Sequence, residues 1–149
     1  MPTPFETAQL NLTLFDLRRE SVLREARAWF VKEFNPESFD ELIAAISGER
    51  NAAFRMVLSY WDMAASLVMT GAIDGDAFRA AHTEIFATFS KVEPYLNELR
   101  GASDEPEFCK NIEIVVMAAP DAEATLKRRR EAILAAAKAR AKQQAEPEK

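Results

Sequence analysis

The chain carries only four glycines, and each falls at a boundary rather than inside an apolar stripe. Gly48 follows Ile46-Ser47, Gly71 and Gly75 bracket Ala72-Ile73-Asp74, and Gly101 follows Leu99-Arg100. Glycine costs roughly 1 kcal/mol in a helix interior and is favoured just past a helix end. The spacing therefore leaves long glycine-free stretches able to coil, and it predicts an all-α fold. With 149 residues, 48% hydrophobic and 29% charged, one domain can bury a core without a metal or disulfide to hold it. The single cysteine, Cys109, excludes an intrachain disulfide and fits a reducing compartment.

Apolar periodicity and capping signals predict six helical segments. The first spans about 3–34 and opens with a capping box of Thr3, Pro4 and Glu6. Leu12, Phe15, Val22, Ala26 and Trp29 read as its core stripe, widened by Leu23, Phe30 and Phe34. Leu10, Leu14 and Leu17 form a second, offset stripe, so this stretch is expected to meet two neighbours, one of them another chain. A break is expected over 18–21. The second segment, 36–47, is capped by Asn35 and buries Phe39, Leu42, Ile43 and Ile46. The third, 49–70, buries Phe54, Val57, Leu58, Trp61, Ala65 and Val68. Gly71 closes it, Asp74 caps the fourth, and Ile73 staples onto Phe78. That fourth segment, 75–100, keeps a period near 3.6, and Pro94 predicts a kink or break near 91–93. The fifth covers 104–119; its β-branched run over 112–116 reads as helix because no second strand-like segment exists to pair with it. The sixth, 121–144, is alanine-rich, lacks aromatic residues and is expected to project and fray. The expected architecture is a bundle of five to six helices with a projecting basic C-terminal helix. It divides into a bundle domain, 1–120, and a basic extension, 121–149.

Charge follows the same division. Residues 1–120 hold 11 Lys/Arg and 19 Asp/Glu, net −8, whereas 121–149 hold 8 and 5, net +3. An acidic body argues against a general nucleic-acid surface, which needs clustered cations. No stretch approaches the ~20 apolar residues of a membrane span. The start, Met1-Pro2-Thr3-Pro4-Phe5-Glu6, lacks the order of a secretory leader, so cytoplasm is the expected location.

Chemistry-bearing residues are few. His82, the only histidine, lies on or beside an apolar face. The Glu-x-x-His arrangement of bundle di-metal sites is absent, since Arg79 stands three residues before it. Asp62 and Glu84 are the acids that could serve it, and a structural role is expected. Cys109 is expected to be buried and inert, although a helix start and Lys110 could lower its pKa. Tyr60-Trp61-Asp62 places Trp61 in the core with Tyr60 and Asp62 beside it, and Arg55, Arg79 and Arg100 are candidate cations. Tyr60, Asp62 and His82 are accordingly expected in a polar network. Lys127, Arg128, Arg129 and Arg130 are the candidate polyanion contact, but four consecutive residues fan through roughly 300° of a helix and cannot share one groove. A phosphate-cradling glycine loop, zinc-ligand spacing and a nucleophile elbow are all missing.

The segment Trp-Asp-Met-Ala-Ala-Ser-Leu-Val-Met-Thr-Gly-Ala-Ile-Asp-Gly-Asp from Trp61, with the later Val-Glu-Pro-Tyr-Leu-Asn-Glu-Leu-Arg ending at Arg100, resembles a group of small bacterial and phage helical proteins classed as a domain of unknown function. The resemblance covers residues 61–100. It implies a shared framework of Trp61, Asp62, Gly71, Ile73, Asp74, Pro94, Tyr95 and Arg100, and it carries no activity, cofactor or catalytic residue. Members often have a membrane segment ahead of the helical part; none is read here, so the resemblance implies no membrane attachment. The expected function is a non-enzymatic protein-interaction or assembly module that self-associates through the first or the C-terminal helix, with no cofactor, metal or small-molecule ligand. The alternatives are a polyanion-binding adaptor using Lys127 to Arg130, and a metal-binding or enzymatic bundle centred on His82.

Overall fold

The computed structural model describes residues 1–146; the last three residues of the 121–149 extension lie outside the described residues. No strand occurs among the described residues. Helix α1, Pro4–Leu17, starts at the predicted capping box: Thr3 Oγ1 accepts from the Glu6 amide at 3.2 Å, and Glu6 Oε2 accepts from the Thr3 amide at 2.9 Å. The chain then breaks over residues 18–20, as expected. Glu20 restarts it by accepting from the Val22 and Leu23 amides at 3.0 and 2.9 Å, which opens α2, Ser21–Lys32.

That break corrects the predicted core stripe. Three non-helical residues reset the helical phase, so no single stripe runs through both helices. Leu14, assigned to the offset stripe, is 3% exposed, whereas Leu12, Phe15 and Val22 are 71%, 54% and 56% exposed. In α2 the buried residues are Leu23, Ala26, Trp29 and Phe30.

Helix α3, Phe39–Ile46, begins later than predicted because Ser38, not Asn35, supplies the cap, accepting from the Glu41 amide at 3.1 Å. Helix α4, Asn51–Met69, is the central element and packs on α2; Trp61, Ala64 and Ala65 are fully buried along it. Gly71 ends α4 with φ +78°, a left-handed conformation that a β-carbon disfavours. Asp74 then caps α5, Gly75–Ala81, through the Ala77 amide, and Ile73 and Phe78 are both buried beside it.

The predicted segment 75–100 is three helices. After α5 come α6, Glu84–Val92, a 3₁₀ turn at Glu93–Tyr95, and α7, Leu96–Ser103. The break at Pro94 was expected. The one at His82 (φ −123°, ψ 60°) carries no glycine or proline signal. Helix α8, Lys110–Met117, is helical across the β-branched run but starts six residues after the predicted 104, because Asp104 and Cys109 hold φ of 53° and 57° and interrupt the coil. It packs on α4 and α6.

Helix α9, Ala122–Ala145, corrects the expectation of a projecting element in part. It lies along α6, burying Ala122 and Leu126, and Lys138 reaches Glu37 at 3.3 Å. Residues 139–146 are exposed. Trp61, Phe30, Phe34, Phe78 and Phe89 are the largest side chains of the sealed core.

Candidate functional site

Tyr60 and Asp62 sit two positions apart on α4, hence about 200° around its axis, and they serve opposite sides of the bundle. The expected network of Tyr60, Asp62 and His82 is therefore corrected: the structure does not bring the three together. Tyr60 faces α1 and donates its hydroxyl to the Leu14 carbonyl at 2.5 Å. Burial pushes that phenol up to about 12, with Glu84 adding to the rise and Arg18 and Arg27 opposing it.

His82 is 1% exposed and ties α1 to the α5–α6 joint, its Nε2 lying 3.1 Å from Asn11 Oδ1. The amide oxygen assigns the proton to Nε2. Nδ1 is buried without a partner among the described residues, as is Nε1 of Trp61, whose ring meets the imidazole edge-on at 5.9 Å. Desolvation, and secondarily the Arg18 charge, hold the imidazole below its usual pKa.

The cations of this cluster are ones the sequence did not single out. Arg18 and Arg27 converge on Glu84: both Nη2 atoms lie 2.5 Å from Oε2, and Arg27 Nε lies 2.9 Å from Oε1. The three side chains are 12%, 18% and 18% exposed. The Arg18 guanidinium is layered between Trp61 and Phe15, 5.2 and 5.1 Å from their ring centroids. One carboxylate thus fastens the end of α1 to α2 and α6. Of the cations expected here, Arg79 pairs with Asp76 and donates to the Val115 carbonyl, Arg100 binds Glu113 and the Phe108 carbonyl, and Arg55 is exposed.

Asp62 caps a helix it does not belong to. Its Oδ1 accepts from the Ile112 amide at 3.1 Å and its Oδ2 from Asn111 Nδ2 at 2.9 Å, at the start of α8 where Cys109 supplies no side-chain cap. Cys109 is 4% exposed, and burial together with the nearby Asp62 carboxylate pushes its thiol up to about 12. A helix start and Lys110 do not activate it. An open cleft of about 670 Å³ lies alongside, floored by Leu58 and Phe108 and rimmed by Asp104, Glu105 and Glu107. Among the described residues, no group of three His, Cys, Asp or Glu side chains is placed to hold a metal ion.

The basic run is divided by the packing of α9. Arg130 turns inward, donating to the Ser90 carbonyl at 3.2 Å and lying 3.4 Å from Glu93. Arg129 is half-buried, while Lys127 and Arg128 are exposed. A further cation escaped the sequence altogether: Lys91 is 5% exposed and donates to the Phe30 and Val31 carbonyls near the end of α2, at 2.6 and 3.0 Å. Burial, with Arg140 adding repulsion, lowers that ammonium to about 8.

The remaining feature is apolar and open. On α1, Phe5, Leu12 and Phe15 are 70%, 71% and 54% exposed, with Ala8 exposed between them. Thr7 and Leu14 occupy the opposite, buried side.

A family model described as a domain of unknown function (DUF4760) matches residues 3–118. The chain belongs to this family. The match takes in every helix from α1 through α8, so the likeness first read over residues 61–100 extends across nearly the whole body of the DUF4760 domain. No curated protein and no solved structure matches the chain. No helix among the described residues is long and apolar enough to cross a membrane.

Proposed function

We propose that this DUF4760 domain is a non-enzymatic assembly module that self-associates, with its contact surface on the outer row of α1. The observation that carries it is the contrast on that one helix. Leu14 and Thr7 are sealed against the body, while Phe5, Leu12 and Phe15 stand in solvent on the far side. Apolar patches of that kind on otherwise polar surfaces mark contact sites. The groups that would be needed for catalysis support the same reading. His82 is walled in by Asn11, Trp61 and Phe78, and the Cys109 thiol is held protonated. On this reading residues 1–120 form the working body and 121–149 an appendage, whose helix α9 lies along α6.

Sedimentation velocity across a wide dilution series tests it. A mass that rises with concentration supports self-association, and a mass of one chain at the highest concentration refutes it. The polyanion alternative has less support, because Arg130 is engaged with Ser90 and Glu93. Retention on heparin at low salt, abolished by truncation at Pro120, is the outcome that would revive it.

A further inference from the structure

We infer that the partner of the α1 row is the same row of a second copy, paired antiparallel, with Phe5 of each chain against Phe15 of the other and Ala8 against Leu12; this rests on the self-association proposed above. The exposed residues Phe5, Ala8, Leu12 and Phe15 follow spacings of three, four and three, the seam of a helix that packs along another helix. The 14 residues of α1 hold two such repeats and no more, so the seam fits a partner helix of its own length.

Side-chain size and charge select the antiparallel direction. Phe5 pairs with Phe15 and the small Ala8 sits opposite the larger Leu12, so volume is matched along the contact. A parallel pair would stack Ala8 on Ala8 and leave a gap. Charge agrees. Asp16, 79% exposed on its side chain, comes opposite Pro4 of the other chain, at the positive end of that helix. In a parallel pair the two Asp16 carboxylates and the two Arg19 guanidiniums would lie side by side. The Arg18 guanidinium lies over the Phe15 ring, 5.1 Å from its centroid, a contact that restrains the ring before a partner arrives.

The size of the contact sets its strength. An aromatic side chain presents about 150–250 Å² and a leucine falls near the lower end, so at exposures of 70%, 71% and 54% Phe5, Leu12 and Phe15 leave roughly 350 Å² open per chain. With Ala8 added within the seam and Gln9, Asp16 and Met1 at its rim, two chains would bury about 1,000 Å², the range of transient rather than permanent complexes. The dimer is expected to dissociate on dilution through the micromolar range.

Cysteine cross-linking reads the geometry directly, because the only native cysteine is buried. Chains carrying Phe5→Cys and chains carrying Phe15→Cys are oxidised mildly, separately and mixed, after circular dichroism confirms native helix content. The inference predicts that the mixture forms the inter-chain disulfide about tenfold faster than either sample alone. Unmixed samples that cross-link as readily as the mixture would show a parallel pair and overturn it. A second measurement uses Leu12→Glu with both phenylalanines intact, which is expected to weaken dimerisation at least about tenfold. A wild-type dimer that survives Leu12→Glu and cross-links in no sample would place the contact elsewhere, overturning the inference while leaving self-association in place. A wild-type chain that stays monomeric would overturn both.

Discussion

Glu84→Gln removes one negative charge from between two arginines while keeping the shape of the side chain. Glu84 accepts three hydrogen bonds, at 2.5, 2.5 and 2.9 Å, from Arg18 and Arg27. A charge-assisted hydrogen bond contributes about 1.5–3 kcal/mol, but simple addition overstates the loss because glutamine still accepts through one oxygen. Removing one partner of a buried ion pair costs about 3–5 kcal/mol. With the three side chains 12–18% exposed, water reaches part of the cluster and the lower end applies, about 3 kcal/mol. For a chain of this size that corresponds to a fall in Tm of about 6–12 °C. Urea unfolding followed by tryptophan fluorescence reads it, since Trp61 lies 5.2 Å from the Arg18 guanidinium. A double-mutant cycle with Arg27→Met should show coupling above about 1 kcal/mol. A loss below about 1 kcal/mol, or strict additivity, would refute the claim that Glu84 fastens α1 to the body.

Two further outcomes follow from the buried groups. His82 has its pKa lowered in the fold, so the unfolded chain binds the proton more readily; stability is complete above the unfolded value of about 6.5 and is lost as pH falls from there toward the folded value. Desolvation sets most of that penalty and the Arg18 charge adds to it, and urea midpoints at pH 7.5 and 5.5 should differ more for wild type than for His82→Gln. Asp62→Ala removes the cap that α4 lends to α8 and should cost about 1–2 kcal/mol, with the Ile112 amide losing hydrogen-exchange protection before the rest of α8. Unchanged exchange at Ile112 would show that the start of α8 is held by other means.

Local chemistry was legible in the sequence wherever one residue type has one strong preference. Thr3 and Glu6, Gly71, Asp74 and Pro94 each sit where their capping, left-handed or helix-breaking character requires. Phase was not legible across the break at residues 18–20, because a stripe extended by periodicity assumes an unbroken coil. A stripe carried through the break points Leu12 and Phe15 inward, whereas the structure leaves both exposed. The break at His82 was hidden for a different reason. Ala81 and Ile85 continue the apolar period, and the turn is held by a contact with Asn11, 71 positions away. Glu84 stood out only as an acid that could serve His82, and Arg18 and Arg27 gave no signal, since charged residues far apart in the chain form a cluster only once tertiary packing brings them together. Lys91 is the same case: its partners are carbonyls, which leave no mark on a sequence.

Whether the outer row of α1 serves association rather than folding is tested most directly by comparing Leu12→Ser with Leu14→Ala, measuring both unfolding free energy and sedimentation mass. Leu12 is 71% exposed and Leu14 3%, so Leu12→Ser should leave monomer stability within about 0.5 kcal/mol while reducing the mass at high concentration to one chain, and Leu14→Ala should cost about 2–5 kcal/mol. A Leu12→Ser chain as destabilised as Leu14→Ala, or one that still associates like wild type, would contradict the assignment of that row to a partner.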